Sequence, residues 1–258
     1  MDFMKPETVL DLANIRQALQ RMEDSIIFNF IERSQFHTCP SVYKADVFPI
    51  PNFQGSFLDW LLSQHERIQS QVRRYEAPDQ YPFFPDSVMP TFLPKIDYPP
   101  ILANYAEAIS INAEIKKIYT EAIAPGISSG EGNQMENLGS TAMADIDSLQ
   151  SLSRRIHFGM FVAEAKFRNE RERFTKLIKE RDIKGIEDAI TNKIVEDKIL
   201  QRLLEKGKAY GIDPTLKFTE HIDSKVKPEV IVKIYKDYVI PLTKKVEVDY
   251  LLRRLDCN

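Results

Sequence analysis

The chain has 258 residues, 43% hydrophobic and 28% charged, with 9 Gly, 15 Pro and 2 Cys. Its 35 Lys and Arg against 38 Asp and Glu leave a net charge of −3, which excludes a broad basic field for a nucleic-acid backbone but not a local basic pocket. The length suits one large domain or two small ones with a real core, the low glycine count argues against glycine-lined phosphate loops, and two cysteines, Cys39 and Cys257, cannot build a disulfide framework.

The first residues lack a charged stretch followed by an apolar run, and no segment reaches the length of a membrane span, so the expectation is a soluble, cytoplasmic protein without a membrane partner. In chain order, apolar residues every three or four positions (Leu12, Ile15, Leu19, Met22, Ile26, Phe30) predict a helix over 7–33, with Thr8 and Asp11 spaced as a capping box. After a loop over 40–54, Ser56 and Asp59 predict the start of a second helix running to about 76.

Residues 77–100 hold 7 of the 15 prolines and form a connector, ordered or flexible; its aromatic residues favour packing on the body. A helix over about 111–124 follows. The stretch 125–139, with Gly126, Gly130, Gly132 and two serines, reads as a loop. Ser140 is the expected N-cap of the longest helix, about 141–172, in which Gly159 costs about 1 kcal/mol against Ala and needs a packing or ligand reason. Shorter helices at about 173–179 and 184–190 precede another at 192–210. A loop over 214–227 leads to a last helix from Pro228 to about 255, which Pro241 should kink or interrupt. No strand pattern of convincing length appears, so the expected fold class is all-α.

Motif searches fail. Gly126-Ile127-Ser128-Ser129-Gly130 matches the nucleophile-elbow spacing but lacks the strand that should precede it. His37 and Cys39 have no second pair at zinc spacing, and His65, His157 and His221 are isolated, so no metal site is expected. No nucleotide-binding glycine pattern occurs, and no cofactor is expected.

More informative are polar residues near apolar stripes. Arg16 shares the face of Leu12 and Leu19 or its edge, a position that also suits a snorkelling side chain. Arg155, Gly159, Ala163 and Lys166 share one helix face, two cations flanking a floor of small residues with room for an anion, or else a solvated strip. Asn192 with Glu196, and Thr243 with Glu247, are i,i+4 pairs whose spacing alone suggests exposed helix surface. Together these residues supply cations, an amide, a hydroxyl and carboxylates that facing helices of a bundle can bring to one site.

The segments RMEDSIIFNFIERS (21–34), GSFLDWLL (55–62), PFFP (82–85), SLSRRIHFG (151–159), FVAEAKF (161–167) and VIPLTKKVEVDYLLRRL (239–255) resemble, in order and over nearly the whole chain, the fungal, feedback-regulated chorismate mutases. The resemblance implies a single all-helical domain over 1–258, a homodimer with one active site per subunit, and the rearrangement of chorismate to prephenate without a cofactor. It assigns Arg16 and Arg155 to the substrate carboxylates, Lys166 and a protonated Glu247 to the ether oxygen, and Asn192, Glu196 and Thr243 to the remaining polar positions. It also implies tyrosine inhibition and tryptophan activation at an interface site built from Arg73, Arg74, Asn137, Gly139 and Ser140. Met143 and Glu136 depart from the family there, replacing a Thr and an Asn, which puts effector affinity in question. Two alternatives stay open: a non-catalytic helical protein that binds aromatic amino acids, and a mutase that has lost effector control.

Overall fold

The computed structural model describes residues 2–210 and 226–256, and among them every regular element is helical. The first expected helix splits in two. Pro6–Val9 makes one turn, α1, and α2 spans Leu12–Arg33. Asp11, expected as the third residue of a box begun by Thr8, is itself the N-cap of α2: its carboxylate accepts from the Asn14 amide at 2.9 Å, while the Thr8 hydroxyl donates to the Lys5 carbonyl.

Helix α3, Phe57–Gln71, opens on the reciprocal Ser56–Asp59 box that the sequence predicts. It stops at Gln71 rather than near Glu76, because Arg73 takes a left-handed φ of 75° and a 3-10 turn follows. The proline-rich connector is ordered and strapped along α3. The Phe83 and Phe84 amides donate to the two oxygens of fully buried Glu66, each at 2.8 Å, and the Phe92 amide donates to the Gln71 carbonyl. A carboxylate suits this place: a proline-dense segment forms no ladder of its own, so its remaining amides must find acceptors elsewhere.

Of two prolines expected to end or interrupt helices, Pro125 is absorbed, while the α-helix is interrupted just before Pro241, as expected. Helix α4, Asn112–Ile118, passes through a π turn at Tyr119–Ile123 into α5, Ala124–Ile127, so the helix runs through Pro125. Likewise α11, Pro228–Ile234, passes through a π turn at Tyr235–Val239 into α12, Ile240–Leu252, which contains Pro241. A π turn shifts the hydrogen-bond ladder by one residue, so the missing proline N–H and the bulk of its ring fall where the ladder is already open.

Between Pro125 and the next helix, the expected loop begins only after Ile127, and it is pinned: the Thr38 and Cys39 amides donate to the carbonyls of Gly130 and Gly132. Helix α6, Leu138–His157, starts before Ser140, which therefore lies in its first turn and is not the N-cap. The single helix expected over 141–172 is broken at Phe158, giving α7, Gly159–Asn169, and α8, Arg171–Lys179. Then come α9, Ile183–Ile190, and α10, Lys193–Tyr210. Most of the loop expected at 214–227 lies outside the described residues, as do His221 and Cys257.

Helices α2, α6, α7 and α12 form the centre, with α2 against α6 and α7 against α12. A solvent-free ion pair, Arg33 Nε to Asp145 Oδ1 at 2.6 Å, joins α2 to α6, and the Tyr43 and Tyr119 hydroxyls also donate to Asp145. The other guanidinium nitrogens of Arg33 donate to the carbonyls of Phe36, His37 and Thr38, holding the chain that leaves α2. No helix among the described residues is long and apolar enough to cross a membrane.

Candidate functional site

Helices α2, α6, α7, α9, α10 and α12 line a cavity of about 330 Å³, and Arg16, Arg155, Lys166, Asn192, Glu196, Thr243 and Glu247 all stand on its wall. These residues are far apart in sequence; the packing of these helices brings them together.

Arg155, in the last turn of α6, is only 4% exposed. Its Nη1 donates to Thr243 Oγ1 at 3.3 Å, and its Nε has no partner. Thr243 itself donates to the Val239 carbonyl at 2.7 Å. Glu247, one turn further along α12, is buried with its Oε2 unpartnered. Burial pushes its carboxyl up to about 7, against the pull of Lys166, Arg155 and Lys244. Lys166 reaches in from α7 and donates to the Ile190 carbonyl at the C-terminal end of α9, where the helix dipole favours a cation. Burial draws its ammonium down from the ordinary value, and Glu247 opposes that shift.

Arg16 is exposed and stands beside Leu12, Ile15 and Leu19 on the wall. Asn192 precedes α10 instead of pairing with Glu196 along it: its Oδ1 accepts from the Val195 amide at 3.2 Å, as an N-cap does. Glu196 pairs with Lys244 at 2.7 Å, bridging α10 to α12.

Two expectations need correcting, and one residue had no expectation. Thr243 and Glu247, exposed by spacing alone, are each only 7% exposed, because α6 and α7 cover their side of α12. Gly159 and Ala163 form no cavity floor: neither lines the cavity, and Gly159 lies against Thr243 and Glu247 instead. Lys244 was missed, since its partner is on α10 and no spacing within α12 points there.

The residues expected to bind effectors do not meet within one chain. Gly139 and Ser140 are exposed in the first turn of α6, where amides lack helical acceptors, and Asn137 adjoins them. Arg73 pairs with Glu76 at 3.2 Å, and Arg74 lines a separate polar cavity with Asn29, Asp147 and Gln150. Gly139 and Gln150 lie roughly 16 Å apart along α6, at about 1.5 Å per residue.

The family model described as chorismate mutase type II matches residues 138–248. The chain is 74% identical to a chorismate mutase of Pichia angusta over 256 residues, spanning 99% of this chain and 91% of that protein. Its structure matches that of the Aro7p chorismate mutase of Candida albicans in complex with L-Trp at a TM-score of 0.97 and 60% identity, covering 100% and 97% of the two chains. It matches AtCM1 with tyrosine bound in the allosteric site at a TM-score of 0.85 and 38% identity, covering 95% and 96%.

Proposed function

The chain belongs to the chorismate mutase type II family and is an isomerase, and from that premise we propose that it converts chorismate to prephenate in the cavity between α2, α6, α7, α9, α10 and α12. The observation that carries this proposal is the convergence of Arg16, Arg155 and Lys166 with the buried carboxyl of Glu247 on one cavity. Family membership leaves no place for a non-catalytic binder as the primary function.

In this rearrangement one ether C–O bond breaks as one C–C bond forms within a single molecule, so no nucleophile or redox partner is needed. The protein's task is to hold a dianion in its reactive chair-like conformer and to stabilise charge developing on the ether oxygen. Arg16 and Arg155 take the two carboxylates, for which guanidinium forks are suited. Lys166 has three N–H bonds, so it can keep the Ile190 carbonyl and still donate to the ether oxygen and a neighbouring carboxylate. Glu247, when protonated, gives the second hydrogen bond to that oxygen. Asn192 and Thr243 complete the polar wall, and Glu196, held by Lys244, stands near the substrate hydroxyl.

We further propose that the enzyme is a cytoplasmic homodimer at the entry to phenylalanine and tyrosine synthesis, inhibited by tyrosine and activated by tryptophan. Relatives with tryptophan or tyrosine bound support the effector class. Because Arg73 and Arg74 are remote from Gly139 and Ser140 within one chain, the effector site pairs them across two subunits. The catalytic assignment is tested by following the loss of chorismate absorbance. Arg155→Ala should cut kcat/KM by roughly 10²- to 10³-fold, the size expected on losing a preorganised charged donor; a variant as active as wild type would remove Arg155 from the site.

A further inference from the structure

The backbone of Gly159 does not require a glycine, since among the described glycines only Gly55 and Gly132 have positive φ. Space is the reason. A Cβ on Gly159 would stand 3.0 Å from Thr243 Cγ2, 3.0 Å from the Thr243 carbonyl oxygen and 3.2 Å from Glu247 Cγ. These nearest atoms all belong to two cavity residues, one of them backbone, so α12 itself would have to give by a few tenths of an ångström. Gly159 also opens α7 directly after the Phe158 break, between Arg155 on one side and Lys166 on the other.

We propose that Gly159 is a positioning residue for the rearrangement: by carrying no side chain it sets how deeply α12 seats against α6 and α7, and so where Thr243 and the Glu247 carboxyl stand relative to Arg155 and Lys166. It lines no part of the cavity and acts only through those two residues. The inference rests on the role proposed for Glu247.

The fold supplies a matched control. Gly207, on α10, would place a Cβ 3.1 Å from Pro228 Cβ and 3.2 Å from both Ile231 Cδ1 and Pro228 Cα, comparable crowding at a helix crossing where none of these nearest atoms belongs to a cavity residue. Purified Gly159→Ala, Gly207→Ala and Glu247→Gln enzymes are assayed for kcat and KM across pH, with thermal unfolding measured in parallel. Gly159→Ala should lower kcat roughly tenfold with a smaller change in KM, since sub-ångström misplacement of reacting groups is costly. Lifting α12 also lets water reach the Glu247 carboxyl, so the midpoint of the alkaline fall in activity should move to lower pH. Gly207→Ala should lose comparable stability yet keep the wild-type kcat and pH midpoint.

Wild-type kcat and midpoint in Gly159→Ala would overturn the proposal, as would the same changes in Gly207→Ala. If Gly159→Ala does not fold, Gly159→Ala/Thr243→Ser, which removes Cγ2, is compared with Thr243→Ser alone; the same acid shift supports the proposal and its absence overturns it. If Glu247→Gln keeps the wild-type pH profile, the role of Glu247 falls and this inference with it. If Glu247→Gln flattens the profile while Gly159→Ala leaves it unmoved, only the positioning role fails.

Discussion

Glu247 can donate a proton-bearing hydrogen bond only while it stays neutral, and its surroundings pull both ways: burial raises its carboxyl to about 7, while Lys166, Arg155 and Lys244 hold it from going higher. Since the folded value lies above the ordinary 4.5, any stability tied to this group is fully present below about 4.5 and is lost as pH rises through about 7. The hydrogen-bond donor proposed for the ether oxygen is lost over the same upper range. Residue by residue, spacing singled out Arg16, Arg155 and Lys166 but left a snorkelling side chain or a solvated strip open, and only the family resemblance gave them roles; the structure places all three on the cavity wall. The roles of Thr243 and Glu247 were not legible from spacing either, because i,i+4 spacing says that two residues share a face but not which neighbouring helix covers it. Their assignment came from family resemblance, and Lys244, whose significance depends on Glu196 of another helix, had no sequence signal at all.

At the scale of elements, local chemistry was legible where it is self-contained, as in the Ser56–Asp59 box of α3. It misled where tertiary packing decides. Pro125 read as the end of a helix, yet a π turn carries the helix through it, whereas the π turn before Pro241 does interrupt the last helix as expected; the break in the long helix falls at Phe158, where no proline marks it. The Arg33–Asp145 pair belongs to this scale as well, since it fastens α2 and the chain leaving it to α6. Asp145→Ala strands a buried guanidinium and two tyrosine hydroxyls and should cost about 3 to 5 kcal/mol, as breaking one side of a buried pair does. Denaturant unfolding checks this, and a loss below about 1 kcal/mol, the range of surface pairs, would contradict the account.

For the whole molecule, near-neutral charge argues against a polyanion partner without speaking against a small anion, and Arg16, Arg155 and Lys166 gather on one cavity despite the net charge of −3. Regulation also belongs to this scale, because the effector site proposed above pairs residues across two subunits. Size-exclusion chromatography with light scattering should give a dimer, and a titration at subsaturating chorismate should show inhibition by tyrosine and activation by tryptophan. A response to neither would mean that Met143 and Glu136 have cost this chain its effector control.

The central claim, that a buried neutral carboxyl on α12 works with Arg16, Arg155 and Lys166 in one cavity, is tested most directly by the pH dependence of chorismate loss in wild type and Glu247→Gln. The account predicts that wild-type kcat falls as pH rises through about 7, where the carboxyl ionises, and that the Gln variant, whose amide keeps its N–H at every pH, loses that fall. The same alkaline decline in both proteins would contradict it.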